Sequence, residues 1–357
     1  MIKKQATEIT KATESRIYTI IEGKRVLFAT VKNMDYCRTK QLSDLIKSGT
    51  EQYDIVYSKR NTTSSRIIEV RHKLRRAILK DYDVIVLGFL PQTMIDIVLK
   101  YRKKNKDCLI VSDFFLSLYD TLVDDRQVLK KEWMISKWLK ILDRKTLQNS
   151  EISLVDTSAE KHYFMELFGI DEKKVKVLYL KANDNIYQRQ HEFNNKSNKS
   201  EFKKYRIVYF GSGHPLHGID ILVRAIKRIG VIKDHIHVIV IGPIGKKNRK
   251  DIESLDYVSL IDWLSQEQLA KQIAIGDLCI AGHFNSEIGK AKRTVPEKAY
   301  IYEMMDKPML LGNSVANHEV FEEDDKHIFV NMGDELALAD SIIKYVLTSN
   351  ELSTQSK

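Results

Sequence analysis

Short apolar runs alternate with longer amphipathic stretches along the first half of the chain. The runs are rich in Val, Ile and Leu, as in DVIVL at residues 83–87 and CLIVS at residues 108–112. Continuous apolar runs of this length are typical of buried parallel strands, whose two faces are both covered. The stretches between them carry apolar residues at helical spacing. Strands are predicted at residues 25–30, 53–57, 83–87, 108–112, 152–155 and 175–180, and helices at 41–47, 67–80, 94–103, 132–146 and 159–168.

The same alternation starts again after a polar segment rich in Asn, Lys and Ser at residues 183–204, which we interpret as a linker. Strands are predicted at residues 206–210, 235–241, 258–261, 278–281 and 309–311, and helices at 219–229, 266–276, 297–305 and 334–347. Two such halves indicate an α/β fold with two Rossmann-like domains, a parallel sheet in each and a cleft between their carboxyl edges. The predicted boundaries are 1–182, 183–204 (linker), 205–333, and 334–357 for a terminal helix and tail.

Two regions do not enter this sheet-and-helix scheme. Residues 1–22 are polar and weakly helical, so we expect an arm or a peripheral helix there. We expect Trp133, Trp138 and Trp263 in the core or partly buried.

Composition agrees with two globular domains. The chain has 357 residues, of which 43% are hydrophobic and 30% charged. Single cores rarely grow beyond roughly 250–300 residues. The three cysteines, Cys37, Cys108 and Cys279, are far apart, which favours a reducing compartment and argues against a zinc or disulfide framework. No secretory signal and no apolar run of about 18–20 residues is visible, so a cytoplasmic protein is expected, at most resting on a membrane.

Positive charge is concentrated in the first half. Residues 1–200 hold 38 basic and 26 acidic residues, whereas residues 201–357 hold 20 and 22. Basic clusters lie at residues 71–80 and 102–106. Such asymmetry suits an anionic partner, such as a lipid surface, a phosphorylated acceptor or a nucleic acid. A solvated basic face without a specific partner is the alternative for each cluster.

The stretch at residues 206–229 is a candidate anion site. A predicted strand runs into Gly211, Ser212 and Gly213, and a helix follows Gly218. A Gly-rich turn between a strand and a helix aims unpaired backbone N–H groups at an anion. The same glycines also occur in ordinary connections, so the turn alone does not decide the function.

A second stretch, residues 289–313, adds charge to this picture. Lys290, Arg293 and Lys298 surround Pro296, which suits the first turn of a helix, and Glu303 follows on that helix. Basic groups near a helix start can neutralise a diphosphate, and a carboxylate can accept hydrogen bonds from a ribose diol. An exposed basic loop followed by an ordinary surface glutamate is the alternative.

The two stretches together resemble the retaining GT-B glycosyltransferases of the family-4 type, especially bacterial enzymes of surface-polysaccharide synthesis. GSGHPLHGIDILVRAIK (residues 211–227) is similar to the Gly-rich loop and first helix of that family's donor domain. KAKRTVPEKAYIYEMMDKPMLLG (residues 290–312) is similar to its donor segment. Residues 114–126 and 154–170 also resemble segments of its acceptor domain. The resemblance covers most of residues 80–345.

The resemblance implies a nucleotide-sugar donor, UDP-, GDP- or dTDP-linked, bound by the C-terminal half. It implies donor contacts from residues of the loop and of the donor segment: Gly211, Ser212, Gly213, His217, Lys290, Arg293, Lys298 and Glu303. Arg293 and Lys298 would assist departure of the diphosphate, and Glu303 would hold the ribose. The chain departs from the family pattern at three positions. Val295 stands where the first glutamate of an E-x7-E pair would lie. Ile301 stands where many members have a glutamate, and His217 where many have a phosphate-binding lysine.

Asp113, at the end of a predicted strand of the first half, is a further catalytic candidate, with a helix N-cap as the alternative. We expect no metal and no other cofactor, because the transfer needs only positive charge at the leaving diphosphate. The expected acceptor is a lipid-linked saccharide, and an anionic membrane surface is a possible partner of the basic half.

Two other functions remain open on these residues. One is a non-transferring enzyme of the same fold, such as a nucleotide-sugar epimerase or a phosphorylase. The other is a basic nucleic-acid-binding protein. The basic clusters lack interleaved aromatic residues and no nucleic-acid-binding signature is present, so no nucleic-acid partner is expected.

Overall fold

The computed structural model describes residues 2–188 and 204–355. The chain divides into two compact units, Met1–Asn183 and Asp184–Lys357. Most of the predicted linker, residues 189–203, lies outside the described residues. Each unit is built on its own six-stranded sheet.

The first sheet has the strand order β2-β1-β3-β4-β5-β6, and every pairing is parallel. Its strands are β1 (Val26–Ala29), β2 (Tyr53–Val56), β3 (Val84–Leu87), β4 (Leu109–Asp113), β5 (Ile152–Val155) and β6 (Val175–Val177). Residues of β1, β3 and β5 are buried throughout, as expected for strands that are covered on both faces.

Helices connect these strands. They are α1 (Ile2–Ile21), α2 (Cys37–Gly49), α3 (Thr63–Ala77), α4 (Ile95–Arg102), α5 (Met134–Asn149) and α6 (Ser158–Phe168), with a π-helix at Asp120–Asp125 and 3-10 turns at Pro91–Thr93 and Glu172–Lys174. The Thr62 and Thr157 hydroxyls accept hydrogen bonds from first-turn N–H groups of α3 and α6, those of Ser65 and Glu160, and so fix where these helices begin. Gly169, at a φ of 63°, ends α6.

The second sheet has the order β12-β11-β10-β7-β8-β9 and is also parallel throughout. Its strands are β7 (Tyr205–Phe210), β8 (Ile236–Ile241), β9 (Val258–Ile261), β10 (Leu278–Gly282), β11 (Met309–Gly312) and β12 (His327–Val330). Two parallel sheets with helices at every crossover confirm the α/β fold class.

The helices of the second unit are α7 (Ile219–Arg228), α8 (Lys246–Ile252), α9 (Gln266–Ala274), α10 (Gly289–Arg293), α11 (Glu297–Met304), α12 (Val315–His318) and α13 (Glu335–Gln355). Further 3-10 turns lie at Pro215–His217 and Ile229–His235. The helix α13 belongs to this unit's core, since Leu338, Ile342 and Val346 are buried together with Leu222 and Ile226 of α7.

The N-terminal helix differs from the expected arm. Ile20 and Ile21 follow Ile17 by about one helical turn, and all three are buried in the core of the first unit with Phe28 and Leu178. The first three turns of α1 are mostly polar, so the helix as a whole shows no clear apolar face in the sequence, and its one apolar turn was not recognised.

The expectation of buried tryptophans is wrong. Trp133, Trp138 and Trp263 expose 47%, 56% and 77% of their surface. Four elements of the second unit were not predicted at all, namely the strand β12 and the helices α8, α10 and α12, which have only four to seven residues. Short elements carry too few residues to show a period.

Candidate anion-binding site in the second unit

The candidate site lies at the carboxyl edge of the second sheet. The Gly-rich turn follows the last residue of β7, and His283 follows the last residue of β10. Because β7 and β10 are neighbours in the sheet, these two connections lie side by side. This edge is where open parallel sheets bind ligands.

Two glycines allow the turn to pack closely. Gly211 has a φ of 154°, and a Cβ there would lie 2.9 Å from Nζ of Lys298. Gly218 has a φ of 64°, and a Cβ there would lie 2.8 Å from the backbone nitrogen of Asn285. A larger residue at Gly218 would push the turn away from this backbone, whereas one at Gly211 would displace the Lys298 ammonium.

Lys298 places a cation inside this site. It is the second residue of α11 and only 4% exposed, and its Nζ lies 4.2 Å from the centre of the Tyr209 ring. Within residues 2–188 and 204–355 this ammonium has no hydrogen-bond partner, and neither has the buried Tyr209 hydroxyl. Burial lowers the pKa of Lys298 to about 7.

Two histidines lie beside this lysine. The ring centres of His217 and His283 are 5.1 Å apart. Burial, followed by the positive charge of Lys298, lowers the pKa of both, for His283 to about 3. Both rings are therefore neutral at pH 7. Among the described residues Nδ1 of His217 has no partner, so it is available to a ligand.

The short helix α10 adds further basic residues. Lys290 is 8% exposed, and its charge contributes to the lowered pKa of His283. The Thr294 hydroxyl donates to the Lys290 carbonyl at 2.9 Å and lies 3.5 Å from Nδ1 of His283. Arg293 is half-buried on the same helix, with Nη1 folded over Gly289.

Chemically, this arrangement is prepared for an anion. A buried ammonium without a hydrogen-bond partner is costly, and an incoming phosphate oxygen would remove that cost. Neutral imidazoles beside it can bond to phosphate or hydroxyl oxygens without adding charge. The structure thus brings Gly211, His217, Lys290 and Lys298 together.

The remaining residues of the predicted turn have different neighbours. A Cβ on Gly213 would lie 3.2 Å from the Pro243 carbonyl oxygen, in the turn after β8. Ser212 is half-buried between these two glycines. Both stay within the carboxyl edge of the sheet.

Glu303 lies elsewhere. Its carboxylate is 2.8 Å from Nε2 of His327, whose Nδ1 is 2.9 Å from Asp324. His327 pairs with Met309, so both residues begin their strands. Glu303 therefore lies toward the amino edge of the sheet, opposite the Gly-rich turn. The ribose contact that the resemblance implies for Glu303 does not fit this position.

Asp113 is enclosed in the first unit. It is 1% exposed and accepts a hydrogen bond from Nε of Arg38 at 2.9 Å, while the Arg38 guanidinium also donates to the Leu178 carbonyl. This arrangement is neither the catalytic carboxylate nor the helix N-cap considered from sequence. A carboxylate enclosed in a buried ion pair is not accessible to a substrate, so we assign Asp113 no catalytic role.

Sequence reasoning missed His283 and Tyr209. His283 stands alone, without ligand spacing, and Tyr209 looks like any aromatic residue of a buried strand. The one available signal was that His283 lies two residues after a predicted strand of a parallel sheet. In the described part of the chain no group of three or more His, Cys, Asp or Glu side chains could hold a metal ion.

Comparisons with known proteins find the fold but no family. No protein-family model matches the chain, and no curated protein matches it in sequence. Solved structures do match over nearly the whole chain. Sucrose-phosphate synthase from Thermosynechococcus elongatus has a TM-score of 0.67 at 12% identity, covering 90% of this chain and 89% of that one.

Two further glycosyltransferase structures agree. The catalytic domain of starch synthase IV from Arabidopsis thaliana, bound to ADP and acarbose, has a TM-score of 0.63 at 10% identity, covering 92% of each chain. HepE from Anabaena, in complex with UDP-glucose, has a TM-score of 0.59 at 11% identity, covering 92% of this chain and 91% of that one.

The chain has the GT-B fold.

This fold also serves other reactions. A proposed UDP-N-acetylglucosamine 2-epimerase from Listeria monocytogenes matches with a TM-score of 0.53 at 10% identity, covering 91% of this chain and 88% of that one. The fold by itself therefore does not name the reaction, and the residues of the site must.

Proposed function

We propose that this protein is a glycosyltransferase that uses a nucleotide-sugar donor. The observation that carries the proposal is the buried Lys298 ammonium, which lies against Gly211 at the carboxyl edge of the second sheet. A diphosphate is the dianionic group that such a cation and the neighbouring backbone N–H groups would hold. The structures of HepE with UDP-glucose and of starch synthase IV with ADP support a nucleotide at this fold.

In the proposed reaction the sugar leaves its diphosphate and is taken by an acceptor hydroxyl. Negative charge develops on the diphosphate oxygen as the bond to the sugar breaks. Lys298 would stabilise this charge directly, with Lys290 and Arg293 as further cations. Neutral His217 would hold a phosphate or sugar oxygen through Nδ1. Gly211, Ser212 and Gly213 would bring backbone groups close to the donor.

The finer features extend the resemblance to the family-4 type. We propose a UDP-, GDP- or dTDP-linked hexosyl donor and transfer with retention of configuration. A lipid-linked saccharide is the proposed acceptor, in the synthesis of a bacterial surface polysaccharide. The protein would act in the cytoplasm, at the inner face of the membrane. Within the described residues, no helix is both long and apolar enough to cross a bilayer.

The reaction is proposed to need no metal, because Lys298, Lys290 and Arg293 can supply the positive charge at the diphosphate. Turnover measured in EDTA would remain near that measured with Mg²⁺. Activity that EDTA abolishes and Mg²⁺ restores would contradict this part of the proposal.

The second candidate is a non-transferring enzyme, favoured by the structural match to the proposed epimerase. Epimerisation and transfer both begin with a bound nucleotide sugar, so binding does not separate them. Product analysis does. Transfer joins the sugar to an acceptor and releases a nucleoside diphosphate, whereas 2-epimerisation requires no acceptor.

The proposed function is tested first by a thermal-shift panel of UDP, GDP, dTDP, CMP and ADP, their sugars, and a short RNA as a control. One nucleoside diphosphate and its sugar should raise Tm by several degrees. Lys298→Met should remove this rise, measured against the variant's own Tm without ligand, and Lys298→Arg should retain part of it. A response to RNA alone would overturn the enzyme proposal in favour of nucleic-acid binding.

A further inference from the structure

Helix α5 has an apolar stripe that faces solvent. Met134, Trp138 and Ile141 follow one another at spacings of four and three residues, which places them on one helix face. They are 81%, 56% and 65% exposed. The opposite face of α5 packs into the core through the buried residues Leu139 and Leu147.

The segment before α5 enlarges this stripe. Val128 is 58% exposed and Trp133, the N-cap residue of α5, is 47% exposed. We call these five residues, Val128, Trp133, Met134, Trp138 and Ile141, the α5 patch. Single exposed apolar residues are common on protein surfaces, whereas a cluster within fourteen positions of the chain is typical of interaction sites.

Basic residues accompany the α5 patch. Residues 126–148 contain seven Lys and Arg but only two acidic residues, Glu132 and Asp143. Asp143 is buried, where it accepts hydrogen bonds from the Ser117 hydroxyl and the Tyr119 N–H. Lys137, Arg144 and Lys145 are exposed on α5 itself. Lys131 is paired with Asp124 at 3.0 Å, so the positive charge around the patch comes mainly from the other basic residues.

We propose that the α5 patch rests on an anionic lipid bilayer. Tryptophan is the residue that favours the boundary between headgroups and acyl chains, since one edge of its ring is polar and the rest is apolar. Lysine and arginine beside it reach anionic headgroups while their alkyl stems cover apolar surface. A helix with one apolar and one basic exposed strip lies in the plane of the membrane.

The basic clusters singled out in the sequence fit this role less well. Arg71 donates two hydrogen bonds to Asp96, at 2.8 and 2.9 Å, and Lys73 lies 2.6 Å from Glu69. Arg102 donates to the carbonyl and side chain of Asn149. Charges that are already compensated within the protein attract a membrane weakly. The α5 patch combines uncovered apolar area with positive charge.

This inference rests on the proposed function, because a membrane contact would bring the enzyme to a lipid-linked acceptor. It can fail separately, however. The α5 patch lies in the first unit and the Lys298 site in the second. Variants of the patch should leave the thermal-shift response to nucleoside diphosphates unchanged, so loss of both properties together would indicate misfolding.

The main experiment is co-sedimentation of the full-length protein with vesicles of phosphatidylcholine alone or mixed with phosphatidylglycerol. We expect binding only to the anionic vesicles, weakened by salt. The double variant W138E/I141E should bind at least tenfold more weakly. Trp263→Glu is the matched control, since Trp263 is 77% exposed in the second unit, and its binding should equal that of the wild type.

A second measurement locates the contact. The chain has three tryptophans, so in a Trp263→Phe variant the fluorescence reports on Trp133 and Trp138 alone. Anionic vesicles that contain brominated acyl chains should quench this fluorescence, and brominated phosphatidylcholine vesicles should not. Quenching would support insertion of the patch at the depth of the acyl-chain boundary.

Three results would overturn the inference. The first is no binding to anionic vesicles, and the second is equal binding by W138E/I141E. The third is a concentration-dependent dimer in lipid-free solution that W138E/I141E dissociates, because it would show that a second copy of the chain covers the patch. Circular dichroism of each variant confirms that it is folded before its binding is compared.

Discussion

Lys298 shows how a single residue can be placed against its own preference. Its pKa is lowered to about 7 because the ammonium is buried, and the Tyr209 ring is its nearest compensation. A folded protein that holds a lysine in this way gives up stability of the order of a few kcal/mol relative to an apolar residue at the same position. Such a cost is typical of ligand sites, where the ligand supplies the missing partner.

The pH dependence of donor binding follows from this pKa. Lys298 must be protonated to hold a phosphate, and the diphosphate of a nucleotide sugar does not itself titrate near pH 7. The Kd of the nucleotide sugar should therefore increase by about tenfold between pH 6 and pH 8. Isothermal titration calorimetry at a series of pH values measures it.

Lys298→Arg is the control for this prediction, since a guanidinium stays charged over the whole range. Its Kd should vary little between pH 6 and pH 8, even if the binding is weaker overall. The same slope in the variant and the wild type would show that another group sets the pH dependence.

At the scale of elements, the two ends of α11 have different roles, one in the candidate site and one in packing. Its first turn carries Lys298 into the site at the carboxyl edge of the sheet, and its last turn carries Glu303 toward His327 at the start of β12. Lys298 and Glu303 are five residues apart, about 7.5 Å along the helix axis, and their side chains contact different groups, the Tyr209 ring and the His327 imidazole. The ion pair at the far end holds β12 against the helix.

The Glu303–His327 pair predicts a pH-dependent stability. Burial opposes the charge of His327, but Glu303 and Asp324 together raise its pKa above the ordinary value of 6.5. Because the folded state holds the proton more tightly, the pair stabilises fully below pH 6.5 and loses its effect as the pH rises through the raised pKa.

Glu303→Gln should therefore lower the free energy of unfolding by about 1 kcal/mol at pH 5.5 and by less at pH 8.5. Urea denaturation at the two pH values measures this difference. The thermal-shift response to the nucleoside diphosphate should be unchanged in the variant. Loss of that response with unaltered stability would return Glu303 to the donor site.

On the scale of the whole molecule, each unit has its own parallel sheet and its own core. The core of the second unit runs from Ile207 of β7 to Val346 of α13, and all the residues that form the candidate anion site belong to this unit. Domains that meet these conditions can fold alone.

A fragment of residues 184–357 should therefore unfold cooperatively and respond to the same nucleoside diphosphate as the full chain. Differential scanning calorimetry with and without the nucleotide tests both properties. The fragment should have no transferase activity, because the resemblance assigns acceptor binding to the first unit. A folded fragment without any nucleotide response would place essential donor contacts in the first unit.

Much of this protein could be predicted from its sequence, for definite physical reasons. Buried parallel strands must be continuously apolar, so DVIVL and HIHVIVI identified β3 and β8, and the alternation with helices predicted the α/β class. Gly211 and Gly218 were visible because only glycine tolerates such close turns. Lys298 was visible as a basic residue at a helix start.

What the tertiary structure alone decided is the environment of each side chain. The sequence suggested a surface cation at Lys298, but in the folded chain this side chain is enclosed. Asp113 is paired with Arg38, and Glu303 with His327. Folding places His283 beside His217, 66 positions away in the chain, and leaves Trp138 exposed to solvent. Sequence patterns report local periodicity, whereas charge, protonation and exposure depend on which distant residues meet, and only the folded chain fixes those contacts.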